Sequence, residues 1–161
     1  MNGNIAAAAR LFALSAALIS CSTAPKESIA PLRGRLVLEV EPNPIVATPL
    51  GNDWYELNFD IIMREAGGVD VTIQDFTVDA LALKSVPVRS HTYPATFITD
   101  RGYPAAIRAG KYLRFAFTRR WPLPNALLLS GAAARVTART IDANGVRSET
   151  SVRVGVAVAR Q

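Results

Sequence analysis

The chain has one cysteine, Cys21, and one histidine, His91, in its 161 residues. A single thiol cannot close an internal disulfide, so the fold must rest on packing and hydrogen bonds. One histidine without clustered carboxylates also falls short of the three or four ligands a zinc site needs. Ser90 adjoins His91, but neighbours on a strand point to opposite faces, so the pair does not make a nucleophile and its base. Also missing is an apolar run long enough to cross a bilayer. The main one, residues 11–19, is about half of the ~20 residues a spanning helix needs. Gly67 and Gly68 are not followed by a lysine or a helix, so they predict a turn rather than a phosphate loop. Two sets of carboxylates, Asp53, Glu56 and Asp60, then Asp70, Asp75 and Asp79, fall along predicted strands without a glycine-turned acidic loop. That spacing argues against calcium ligation and against a glycosidase pair, and it predicts solvated strand faces. No metal, cofactor or catalytic activity is expected.

What is present begins at the N-terminus. Behind Arg10 lie Leu11, Phe12, Ala13, Leu14 and further small apolar residues up to Ile19, the arrangement of a secretory signal peptide. The stretch closes on Leu18, Ile19, Ser20 and Cys21. These four residues resemble the bacterial lipobox, and the resemblance implies a diacylglyceryl group on Cys21, cleavage before it, and an acylated first residue. Each buried methylene of an acyl chain contributes about 0.8 kcal/mol, so two or three chains hold a protein stably at a bilayer. Ser22 rather than Asp follows the cysteine, which in lipoproteins points away from inner-membrane retention and toward the outer membrane of a two-membrane cell.

The expected organisation is a signal peptide over residues 1–20, a lipidated and flexible tether over 21–34, and a single domain over 35–161. Residues 22–31 are small, polar and bounded by Pro25 and Pro31, as a tether would be. Removing residues 1–20 deletes one cation, Arg10, from the 18 Lys and Arg, leaving 17 against 13 Asp and Glu. So small an excess is compatible with ordinary solubility and does not by itself call for an anionic partner. A domain of this size buries roughly two thirds of its extended-chain surface and can be stable without crosslinks.

Period-two alternation dominates that domain. Leu36, Leu38 and Val40 alternate with Val37, Glu39 and Glu41 until Pro42 and Pro44. Over residues 54–64, Tyr55, Leu57, Phe59, Ile61 and Met63 share one face. Ala66, Gly67 and Gly68 predict a turn into a hairpin partner carrying Val69, Val71 and Ile73. The apolar parity then switches to Phe76, Val78 and Ala80, which predicts a β-bulge near Gln74 and Asp75. Residues 84–110 are punctuated by Pro87, Pro94 and Pro104, with a short strand predicted over 96–99. Leu113, Phe115 and Phe117 mark a strand over 112–119, followed by a rigid connection over 120–125. Strands over 134–141 and 146–158 flank the Asn144-Gly145 hairpin signal.

About seven short strands with no amphipathic helix predict an all-β, antiparallel two-sheet sandwich, with a small closed barrel as the structural alternative. Strand spacing and the aromatic-led strand at Trp54 resemble immunoglobulin-like and fibronectin type III modules, without the Cys-Trp-Cys framework of antibody domains. The expected function is that of a non-catalytic, lipid-anchored envelope protein whose domain mediates protein–protein interaction or assembly. The alternative is a binding module for an anionic envelope glycan or lipid head group. Its candidate residues are Arg114, Arg119, Arg120 and Trp121, in a segment that also carries Arg101, Arg108, Lys111, Tyr103 and Tyr112 and has no acidic residue between Arg101 and Arg120. An exported address makes nucleic acid an unexpected partner.

Overall fold

The computed structural model describes residues 31–82, 85–122 and 131–159. Nine strands and one helical turn occupy them: β1 (Leu36–Glu41), β2 (Ile45–Gly51), β3 (Trp54–Glu65), β4 (Val71–Ala82), β5 (Val86–Pro94), α1 (Thr96–Thr99), β6 (Ala106–Ile107), β7 (Tyr112–Pro122), β8 (Ala133–Asp142) and β9 (Arg147–Val158). The domain is all-β. Cys21 and the residues around it lie outside the described residues.

β3 and β4 are the two central strands. β7 pairs antiparallel along almost the whole of β3 on one side, and β1 and β2 lie along its other side. β4 pairs with β8 on one side and with β5 and β6 on the other, and β8 continues into β9. The expected two separate antiparallel sheets are instead joined: β2 runs parallel to β9 through Ile45–Val156, Val46–Ala157 and Ala47–Val158, so all nine strands form one hydrogen-bonded sheet. That sheet curls back on itself. Phe76 on β4 meets Phe115 and Phe117 on β7 with ring centroids 5.4 and 6.2 Å apart, although four strands separate β4 from β7 along the pairing path.

Alternation explains the core. Leu36, Leu38 and Val40 of β1, Leu57, Phe59, Ile61 and Met63 of β3, and Leu113, Phe115 and Phe117 of β7 are all buried, facing Val71, Ile73, Phe76 and Val78 of β4 and Ala134, Val136 and Ala138 of β8. The parity switch in β4 is a real irregularity: its register against β8 shifts between Ile73 and Asp75. The Asn144-Gly145 turn joins β8 to β9 as expected, with Gly145 at a φ of 81° that a side chain would resist.

Four sequence expectations are corrected. β4 is not the hairpin partner of β3, because both flanks of β3 are filled by β7 on one side and β1 and β2 on the other. The chain therefore crosses to the other half of the sheet. Residues 96–99 form a helical turn rather than a strand. One turn lets the adjacent Phe97 and Ile98 both pack on the core, whereas an extended chain would send them to opposite faces. Arg120, Trp121 and Pro122 continue β7 rather than connecting it, since Glu56, Tyr55 and Trp54 extend the ladder opposite them. The folded body also starts earlier than residue 35, because Leu32 and Gly34 are already bonded to it.

Those bonds converge at one end of the domain. The Glu65 carboxylate, 1% exposed, accepts backbone N–H bonds from Gly67, Gly68 (3.0 Å), Gly110 (2.9 Å) and Arg35 (3.2 Å). Burial alone would raise its pKa, but the four donors outweigh it and hold the group at about 2. Asp142 plays the matching part in the β8–β9 turn, accepting from Gly34 (3.0 Å), Asn144 (2.9 Å) and Val146 (2.8 Å). The Asn144 amide in turn donates to the Leu32 carbonyl at 2.9 Å.

Candidate functional site

The arginine- and aromatic-rich segment lies on β7, and strand alternation divides it. Arg114 and Arg120 stand on the outer face, exposed, while Arg119 and Trp121 share the core-facing parity of Phe115 and Phe117 and are half-buried. The four candidate residues thus do not form one surface. The two outer arginines are also occupied. Arg114 reaches Asp60 at 2.7 Å and Glu41 at 3.0 Å, and its pKa is raised chiefly by the hydrogen bond to Asp60. Arg120 reaches Glu56 at 2.8 Å, and that bond, followed by one from Asn58, holds the Glu56 carboxyl below its ordinary value. The other half of the sheet repeats the pattern with Arg135 on Asp79 and Arg139 on Asp75.

These pairs correct the expectation for the carboxylates. Glu56, Asp60, Asp75 and Asp79 are tied to arginines on neighbouring strands rather than merely solvated. Asp53 sits in a two-residue turn beside Asn52, both at positive φ, and Asp70 accepts the Ala109 N–H at 2.8 Å. Among the described residues, no three His, Cys, Asp or Glu side chains are grouped to hold a metal. His91 is on β5, exposed, with its ring edge-on to Tyr93 at 4.4 Å.

Polar groups gather in two further arrangements. One is a surface cavity of about 440 Å³ beside the β4 bulge, lined by Gln74, Asp75, Arg139, Thr140, Arg147, Ser148 and Glu149. Its Asp75–Arg139 and Thr140–Ser148 contacts, both 2.8 Å, are already made. The other lies along the open side between β5 and β7. Tyr93 projects inward from β5 and packs on Phe76, Phe97 and Phe117 at 4.9, 4.5 and 5.3 Å. Arg101, just beyond α1, lays its guanidinium over Phe97 at 3.5 Å and donates to the Phe97 carbonyl at 2.8 Å. Arg119 lies on the core-facing side of β7, two residues beyond Phe117. Sequence reasoning selected Arg119 and Arg101 but missed Tyr93, because nothing in residues 86–94 alternates strongly enough to mark a strand.

No family model matches the chain. No curated protein matches it either. Solved structures do. A protein assigned as ApaA from Bordetella pertussis aligns at 12% identity with a TM-score of 0.55, over 78% of this chain and 98% of its own. A structural-genomics target determined by X-ray diffraction aligns at 9% identity and a TM-score of 0.52, over 76% of this chain and 86% of its own. A CARDB domain from Pyrococcus furiosus gives 12% identity and a TM-score of 0.40, over 77% and 89%. At these identities the first two likenesses establish the fold alone.

Proposed function

We propose that this chain is a non-catalytic, lipid-anchored envelope protein whose β domain docks an extended segment of another envelope protein along the edge of β5. The observation that carries the reading is the form of that edge. β5 pairs with β4 on one side only among the described residues, and its first seven residues are all exposed. Its register against β4 passes from Arg89 to Pro87, which makes Val88 the extra residue of a bulge. A bulge re-aims a side chain, and here it leaves Val88 59% exposed beside Val86 at 53%. An edge strand with free backbone groups and outward apolar side chains suits strand addition, in which main-chain bonds supply affinity and side chains supply selectivity. The carboxylates fit this reading too, because those best placed for chemistry hold backbone amides or arginines instead.

The anchor and the docking edge are tested separately. Cys21→Ser should abolish metabolic labelling by fatty acid and release the protein from the membrane fraction; retention there, with an unlabelled parent, would refute the anchor. A photo-crosslinking residue at Val88 in the full chain should capture one discrete envelope protein. Capture of nothing, or of the same products from a probe at Val146, would refute the docking edge.

A further inference from the structure

We infer, on the basis of the docking edge proposed above, that the segment added to β5 is acidic and turns carboxylates at alternate positions toward the face of β5 that carries Arg89 and His91. The two faces of this strand differ in charge. Residues paired directly opposite each other share a face, so Ser90 and Pro94 lie with Asp79 and Asp75, while Arg89, His91 and Tyr93 lie with Ala80, Val78 and Phe76. On the first face both carboxylates are held by arginines of β8, and the Thr77 and Thr92 hydroxyls bond each other at 2.8 Å. On the second face Arg89 and His91 are exposed, and neither enters an ion pair among the described residues. No Asp or Glu occurs in β5.

A further cation extends the same face. Tyr93 packs on Phe97 at 4.5 Å, and the Arg101 guanidinium lies over the Phe97 ring at 3.5 Å, fixed there by its bond to the Phe97 carbonyl. Arg101 is exposed and stands one ring beyond the strand. Asp100, its neighbour in sequence, is not paired with it among the described residues.

Charge selects the occupant. A strand added along the free edge bonds through its main chain and sends every second side chain to the Arg89 face. Arg89 and His91 are two residues apart, about 7 Å at the rise of a strand, which is the spacing of carboxylates at i and i+2 in the added segment. Val86, opposite Ala82, shares that face beyond the bulge and is exposed, so the residue meeting it is apolar. A second copy of this chain does not fit the edge. Two β5 strands laid together would set the Arg89 and His91 of each against those of the other, with no acid in either strand.

Labelled synthetic peptides test this with the full chain in a maltoside detergent. One peptide alternates glutamate with threonine and valine; the other has the same composition with its glutamates in adjacent pairs, so that they fall on opposite faces. The alternating peptide should bind saturably, slow hydrogen exchange at the β5 amides, and bind less tightly as salt is raised. Arg89→Glu should weaken it about tenfold, attraction at an exposed pair becoming repulsion, and should bring in a peptide with lysine in place of glutamate. Arg153→Glu, which alters an exposed cation on β9 away from this edge, should leave binding unchanged. Equal binding of the two glutamate peptides, or an equal loss from Arg153→Glu, would reduce the effect to net charge, as any anionic polymer would show, and overturn the proposal. Failure of the alternating peptide to bind would also overturn it, leaving the cations as guards against edge-to-edge aggregation. Crosslinking at Val88 separates the two readings: a discrete partner captured equally by the parent and by Arg89→Glu keeps the docking edge and refutes the acidic segment, whereas capture of nothing refutes both.

Discussion

Asp79 and Arg135 stand directly opposite each other across the β4–β8 ladder, and the guanidinium closes on one carboxylate oxygen with Nε and Nη2 at 2.9 and 2.7 Å. The two ends of the pair are unequal: the Asp79 side chain is 8% exposed and that of Arg135 46%. Losing the arginine leaves a buried carboxylate without its counter-ion, while losing the carboxylate leaves a cation that water can still reach. Arg135→Met, which keeps much of the apolar stem, should therefore destabilise by about 2 kcal/mol and Asp79→Asn by less than about 1 kcal/mol. Urea unfolding of the two variants measures the asymmetry, and equal losses would contradict it.

Acid should act through Glu65. Its folded pKa of about 2 lies below the ordinary 4.5, so the stabilisation is complete above pH 4.5 and drains away as pH falls toward 2. The linked contribution is on the order of 2 kcal/mol after allowance for solvent screening. Glu65→Gln should be less stable at pH 7, and the gap to the parent should narrow steadily between pH 4.5 and 2. Thermal melts over that range would show a constant gap if the carboxylate were a bystander.

Gly67 has no room for a side chain. A Cβ there would meet the Arg33 carbonyl oxygen and stand 2.7 Å from the Arg35 nitrogen, both of them backbone. Gly67→Ala must push the lead-in segment off Glu65 and should cost roughly 2 kcal/mol or more, with the loss confined in hydrogen exchange to the amides of Arg35, Gly67, Gly68 and Gly110. A variant as stable as the parent would mean that the segment shifts freely.

Phe76 is completely buried and touches the rings of Tyr93, Phe97, Phe115 and Phe117. Phe76→Ala should cost about 3–5 kcal/mol, whereas Val86→Ser on the exposed edge should stay within about 0.5 kcal/mol. Comparable losses at the two positions, measured by denaturant titration, would contradict the curled-sheet core.

The parts of the fold legible in the sequence are those where one face is buried along a whole strand. β3, β7 and β8 declare themselves by unbroken alternation, and the bulge in β4 declares itself by a change of parity. β5 does not, because only Tyr93 of its nine residues is buried. β2 hides for another reason: Pro49 and Gly51 interrupt it, and its place depends on the distant β9. The same distinction applies to the charges. Alternation alone separates Arg114 and Arg120 from Arg119 and Trp121, but their carboxylate partners follow from strand register, which no local pattern encodes. Glu65 is a single acid at a strand end, and its four donors come from three separate stretches of chain.

The fastening of residues 32–35 has a mechanical consequence. A pull transmitted along the polypeptide from the N-terminal side reaches the Asn144–Leu32, Asp142–Gly34 and Glu65–Arg35 bonds before it loads the β1–β3 ladder. Two carboxylates and a side-chain amide thus stand where the chain joins the domain, so under load residues 32–35 are expected to detach before strand pairing is lost.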